Sequence, residues 1–455
     1  METIDLPYRP MRSPMPAPGA LTNPRSNMLP ITLAVILVYL LLVPPQFNPT
    51  IADIYLSPFR IFLIGASLFV ITSALRERLR FGFADLLIVL AIGWIWLASY
   101  MSSGSVATSI VMGGSHTVDI GLSYFLARSA IQTPDDLRRF LILIAPGVFI
   151  MSMLIIAESL THTLIVQRLA GALTGLPYPT RWDTRLGLMR GMGSFPHPIL
   201  AGICLGSLLP IYLLSGLRGW PRLLGTAATL GGFFTLSSAA MLSLIVGGLL
   251  VCYDWINDRI ANLNWRVFIF LAAVLAAVVE FGSKSGFYSV LIRYASLNQS
   301  SAYNRVLIWE FGTQNVAANP WFGIGYSDWD RPEWMVSGSF DHFWLILALR
   351  FGIPEFALLF AATLAGIVMV AVRSRRMFPH DARLMRGVAI SLGVFALGLM
   401  SVSLWMAPLA WFFMLLGVAV SLGSDGAARS VPNPSGPRAV YRRWQPTPGP
   451  GTGDA

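Results

Sequence analysis

Twelve apolar stretches, each close to the length that crosses a bilayer, divide this chain into spans and connectors. A spanning helix needs roughly 20 apolar residues, and lipid admits only backbones that satisfy their own hydrogen bonds. The stretches lie near 29–43, 58–75, 83–100, 105–127, 138–158, 198–216, 221–238, 239–256, 265–281, 342–372, 387–404 and 405–422. Only 12% of residues are charged, about half the share of a soluble domain, and 55% are hydrophobic. The expected fold class is all-α, a polytopic membrane protein with about 12 transmembrane helices. The stretch bracketed by Pro30 and Pro44 is the shortest. The run from 221 to 256 is too long for one helix and divides at Leu236-Ser237-Ser238.

Arginine placement sets the direction. Arg76, Arg78 and Arg80 follow the second stretch, and Arg128, Arg138 and Arg139 the fourth. Arg218 and Arg222 follow the sixth, Arg259 and Arg266 the eighth, and Arg373, Arg375, Arg376, Arg383 and Arg386 the tenth. These connectors share one side with both termini, which makes that side cytoplasmic. The same arginines account for the net charge of +10 without a nucleic-acid partner. Residues 1–28 and 424–455 are Pro-, Gly- and Arg-rich and read as disordered cytoplasmic tails, with no cleavable signal peptide at the start. The transmembrane domain is 29–423. Cys204 and Cys252 sit in apolar runs and read as small core residues.

Two long connectors, 159–197 and 282–341, fall on the opposite face and carry cations where few are expected. The first holds Arg168, Arg181, Arg185 and Arg190; the second holds Lys284, Arg293, Arg305 and Arg331. A phosphate-bearing ligand at that surface accounts for them, because the guanidinium fork matches phosphate oxygens. Pairing with Asp183, Glu310, Asp328, Asp330 and Glu333 is the alternative.

The second connector also carries the densest polar and aromatic signal. Arg305 and Trp309 are spaced to share a helix face. Pro320-Trp-Phe-Gly323-Ile-Gly325 permits tight backbone bends near a ligand. His342, behind Asp341, has the chemistry of a general base toward a hydroxyl, or is an interfacial ring satisfied by water. Arg190-Gly-Met-Gly193-Ser-Phe195-Pro196-His197-Pro198 suits a fixed anion contact or a rigid re-entry turn. Arg350 lies two turns into the tenth stretch, with Glu355 placed to pair with it. His116 and Asp119 share a face within 105–127, lining a polar cavity or satisfying each other. Glu158 and Glu280 stand at span ends, in reach of water. Asp328-Trp329-Asp330 resembles a divalent-cation pair, but Arg331 adjoins it and no metal is expected. Trp309, Trp321, Trp329, Trp334 and Trp344 are sugar platforms or an interfacial belt.

Arg190 with Gly193, Phe195 and Pro198, and Arg305 with Trp309, Pro320, Gly323, Gly325 and His342 ahead of Gly352-Ile-Pro354, resemble signatures of bacterial O-antigen ligases and O-antigen or exopolysaccharide polymerases. The large outer loop before the last three spans also resembles that superfamily. At Ser237-Ser238-Ala239-Ala240 this chain lacks the arginine many members carry, and Phe343 stands where a small polar residue is common. The resemblance implies a type C-like membrane glycosyltransferase, metal-independent and without a cofactor. It implies catalytic roles for His342, Arg305 and Arg190, and binding of pyrophosphate or sugar by Arg350, Trp309, Gly323, Gly325 and Arg185. The implied donor is an undecaprenyl-pyrophosphate-linked glycan, used at the periplasmic face of the inner membrane. The acceptor is a growing glycan for a polymerase, the first reading because the segment from Ser339 through Trp344 is closer to exopolysaccharide polymerases. For a ligase it is the lipid A core. Flippase and chain-length regulator proteins are implied partners. A lipid-linked sugar transporter is the reading from another class; it would concentrate charges within the spans and often show an inverted repeat.

Overall fold

The computed structural model describes residues 28–424, apart from 49, 52–53, 76–78, 179–182, 261–263, 284–285, 296–298 and 336. Both expected tails, except Met28 and Ser424, lie outside the described residues. So do Arg76, Arg78, Arg181, Lys284 and the side chain of Arg293.

The described chain is helical nearly throughout. The first half comprises α1 (Met28–Leu41), α2 (Pro58–Leu75), α3 (Phe83–Ser103), α4 (Val106–His116), α5 (Ser123–Ala130), α6 (Pro134–Thr161), α7 (Ile165–Thr174) and α8 (Pro198–Leu214). The second half comprises α9 (Trp220–Phe234), α10 (Ser238–Asn257), α11 (Trp265–Gly282), α12 (Gly286–Ala295), α13 (Gln299–Ala318), α14 (Phe343–Phe351), α15 (Ile353–Ser374), α16 (Pro379–Gly398) and α17 (Ala407–Gly423). Two minimal antiparallel hairpins interrupt it: β1 (Thr50–Ile51) with β2 (Ile54–Tyr55), and β3 (Thr184–Arg185) with β4 (Leu188–Met189).

Helix occupies each of the twelve apolar stretches, but not as twelve uniform spans. Six helices are long and apolar enough to cross a membrane: α2, α3, α6, α10, α11 and α15. Helices α1, α8 and α17 are apolar but shorter. Three breaks explain much of the difference. The stretch 105–127 is interrupted by a π-helical segment at Thr117–Leu122, where Asp119 turns toward Arg60. The stretch 342–372 breaks at Gly352, whose φ of +88° is left-handed and whose missing Cβ would run into the Trp321 carbonyl. The nine-residue α14 that results spans only about 14 Å. The stretch 387–404 stops being helical at Gly398. The division between α9 and α10 falls where the sequence places it, with Leu236 at φ +47°.

Helices α8 and α17 form the centre. Every residue from Pro198 to Leu208 and from Pro408 to Leu422 is buried. Helix α8 packs on α9, α10 and α16, and α17 on α5 and α15. Several of the cations expected on one side gather at one end of this bundle in ion pairs. Arg128 forks onto the fully buried Asp85 at 2.7 and 2.9 Å. Arg138 joins α6 to the Ser215 carbonyl and to Asp381. Arg386 joins α16 to Asp254 and Asp258 on and just beyond α10.

Candidate active site

At the other end of the bundle the two motif-bearing connectors converge. The first is held by Glu158 near the end of α6. Its carboxylate is completely buried and accepts backbone N–H bonds from Val166 (3.0 Å), Met192 (3.0 Å) and Gly193 (2.8 Å). It therefore does not reach water, as its place at a helix end suggested; it nucleates the turn that carries Arg190. Gly191 lies so close to the Ile155 carbonyl that no side chain fits, and Gly193 is left-handed at φ +57°. The turn presents Arg190 at 6% exposure. Its Nε donates to the Thr235 carbonyl and its Nη1 to Asp183 at 2.6 Å. The buried Nη2 has no partner among the described residues. Arg185, on the β3–β4 hairpin, donates Nη1 to the Leu236 carbonyl, and its buried Nε is also unpartnered there. Thus the kink between α9 and α10 supplies carbonyls that anchor two guanidinium groups.

The second connector is held by the non-helical turn after α16. Its carbonyls explain why that helix ends early. Ser401 accepts from Arg305 Nε (3.1 Å), Met400 from the Tyr288 hydroxyl, and Leu399 and Val402 from the Phe343 N–H. Arg305, on α13, is 5% exposed. His342 caps α14: its Nδ1 accepts the Leu345 N–H at 3.1 Å. A neutral ring bonded this way carries its proton on Nε2. That nitrogen is buried and has no partner among the described residues. Burial depresses the ring's pKa to about 4, so neutral is its resting form. Trp309 and Tyr288 flank the imidazole at 5.4 and 5.3 Å between centroids, and stack on one another at 4.5 Å.

Electrostatic coupling joins the two halves. Burial is the largest influence lowering the pKa of Arg305; Asp341 and Tyr288 oppose it, and the charge of Arg190 adds to it. Burial and then Arg190 lower Arg185 in the same way. Asp341 is pushed upward by burial, while Arg305 and Arg190 pull it back. His197 caps α8 as His342 caps α14, accepting the Ile199 N–H. It too is held near pKa 4, by burial and then by Arg190. Three guanidinium groups therefore share one neighbourhood with two carboxylates, of which Asp183 is 57% exposed. An anion entering there offsets the mutual repulsion and engages the free Nη2 and Nε donors.

Other residues singled out by sequence are placed elsewhere. Arg350 donates Nη1 to the Gly325 and Ser327 carbonyls (2.8 and 3.1 Å) and lies over the Tyr326 ring. Its ionisable neighbours are Tyr326 and Asp328, so it shapes a loop instead of joining the arginine cluster. Gly323 and Gly325, both left-handed, let that loop pack on the end of α14 through Ile324 N–H to Leu349 and Gly325 N–H to Arg350. Glu355 does not pair with Arg350; it is fully buried, with neither oxygen hydrogen-bonded among the described residues. Asp119 pairs with Arg60 at 2.6 Å and His116 bonds the Met112 carbonyl, so these two do not satisfy each other. Glu280 accepts the Phe287 N–H at 2.6 Å. Asp328 is drawn below the carboxylate range by Arg331 at 2.6 Å. Trp344 and Trp329 are buried core residues; Trp321 and Trp334 are exposed.

Sequence reasoning gave no role to Asp341 or His197. The available signal was position: His197 and His342 each stand immediately before a helix, where a side chain caps the first turn.

The apolar helices define a helical membrane protein with a cationic cluster at one end of its bundle. Residues 223–360 match the family model described as O-antigen ligase, so this segment is similar to that family. The matched segment runs from α9 into α15 and includes Arg305, Trp309, Asp341 and His342; Arg185, Arg190 and His197 precede it. No curated protein matches the chain. The match supports a role in O-antigen or related polysaccharide biosynthesis.

Proposed function

We propose that the chain transfers a glycan from undecaprenyl pyrophosphate to a sugar hydroxyl at the periplasmic face of the inner membrane, and that it does so as a polymerase of lipid-linked repeat units. The observation that carries the reading is the electrostatic coupling of the buried Arg190 and Arg305 with the half-buried Arg185 and with Asp341, the residue before His342. The acceptor oxygen bonds to the anomeric carbon of the donor as the bond from that carbon to the pyrophosphate oxygen breaks. The lipid pyrophosphate leaves with added negative charge, which preorganised guanidinium groups stabilise. The acceptor proton goes to Asp341, a carboxylate with no hydrogen bond or ion pair among the described residues. His342, with Nδ1 engaged by its cap, donates from Nε2 to a substrate oxygen, and Trp309 offers a face to a sugar ring. The ligase reading is supported by the description of the matched family; it uses the same donor chemistry with lipid A core as acceptor.

Replacing Arg305 by Lys removes the fork but keeps the charge. In cells, glycan chain growth is expected to fail at unchanged protein level. Normal chain length contradicts the proposed grip on pyrophosphate. In a deletion strain, lipid A bearing single repeats indicates a polymerase. Lipid-linked polymer with no glycan on lipid A indicates a ligase.

A further inference from the structure

Helix α11 packs on α12 and otherwise lies at the edge of the bundle. None of its 18 residues is buried. It touches α10 at its first turn, where Trp265 Nε1 donates to Asp254 and Tyr253 packs on Trp265 and Phe268. Between this helix and the facing ends of α15 and α16 runs a groove of about 530 Å³. Phe268, Ile269, Ile367 and Ile390 give it apolar walls, while Arg266 and Arg375 line it as well. Both arginines are exposed, and neither guanidinium has a hydrogen bond or ion pair among the described residues. A third lining arginine, Arg386, is already paired with Asp254 and Asp258. Asn257 adds a buried amide oxygen without a partner among the described residues. The site is remote from the arginine cluster: the 20 residues of α10 separate the two ends by roughly 30 Å.

We propose that this groove binds one anionic phospholipid, with its acyl chains along α11 and its headgroup phosphate between Arg266 and Arg375. Apolar walls ending in two unpaired guanidinium groups match a molecule that is apolar along its length and anionic at its head. A second copy docking through the same face would bring like charges together. The chain's own residues 425–455 carry Arg429, Arg438, Arg442 and Arg443 against Asp425 and Asp454, so their net charge also opposes that end. Inorganic phosphate matches the arginines but leaves the apolar walls uncovered.

The test uses the purified full chain in nanodiscs of phosphatidylcholine, alone or with phosphatidylglycerol, read by native mass spectrometry and thermal unfolding. The wild type is expected to retain one phosphatidylglycerol and to unfold several degrees higher in its presence. Arg266→Gln and Arg375→Gln are each expected to weaken retention roughly fivefold, and the double variant to abolish the lipid-dependent shift. The paired Lys substitutions are expected to keep it. Equal unfolding of the wild type in both lipids overturns the proposal, and that comparison needs no variant to fold. Full replacement of the lipid effect by inorganic phosphate overturns it. So does a dimer that retains no phosphatidylglycerol.

Discussion

At the scale of single residues, the imidazole of His342 is defined by the backbone it caps. With Nδ1 engaged by Leu345 and the ring neutral, Nε2 is a donor, which is why the proposed base is Asp341. Asp341→Asn is expected to lower transfer at least ~100-fold, the smaller end of general-base contributions. Because burial raises the Asp341 pKa, the acid limb of wild-type activity should lie above the ordinary carboxylate range. Near-normal turnover of the Asn variant contradicts the assignment. The depressed pKa of His342 also has a stability consequence. Between pH about 6.5 and 4 the unfolded chain takes up a proton that the folded ring refuses, so stability is full above 6.5 and falls as pH drops through this window. Asn also caps helices but does not titrate, so His342→Asn should flatten the acid-side decline in unfolding temperature. An unchanged decline would mean that other groups cause it. Arg190, Arg305, Trp309 and His342 stand out in the sequence by residue type and spacing, and the structure couples Arg190 with Arg305 and sets Trp309 against His342. Asp341, His197 and the partners of Asp119 and Glu158 were not legible there. Asp119 meets an arginine 59 positions away, and Glu158 meets N–H groups 34 and 35 positions away. Local spacing holds no information about such pairings.

At the scale of elements, the breaks build the site. The α9–α10 kink frees the Thr235 and Leu236 carbonyls for Arg190 and Arg185, and the turn after α16 frees those of Met400 and Ser401 for Tyr288 and Arg305. Hydropathy reads both regions as apolar, so it located the helices and missed most of the interruptions. Only the α9–α10 division was visible, because the run was too long for one helix. The Gly352 break was hidden within a continuous apolar pattern. Its left-handed backbone and the adjacent Trp321 carbonyl leave no room for a methyl group. Gly352→Ala should therefore destabilise the protein by at least ~1 kcal/mol, seen as a lower unfolding temperature. An unaltered transition would show that the α14–α15 junction relaxes freely.

At the scale of the whole molecule, two cationic ends do different things. At one, Arg128, Arg138, Arg383 and Arg386 are paired with Asp85, Asp254, Asp258 and Asp381 and hold helices together. At the other, the buried Arg190 and Arg305 and the half-buried Arg185 repel one another, and Arg190 Nη2 and Arg185 Nε lack partners among the described residues, the arrangement that motivates the proposed anion. Arginine counts along the sequence anticipated the two groups but not this difference in pairing, which depends on acids brought in by other helices. The most direct measurement is the affinity of the purified protein for an undecaprenyl-pyrophosphate-linked glycan, wild type against Arg190→Lys. Loss of a charge-assisted fork should weaken binding by about 10- to 100-fold. Equal affinity of the two proteins would contradict the claim that these guanidinium groups hold the pyrophosphate.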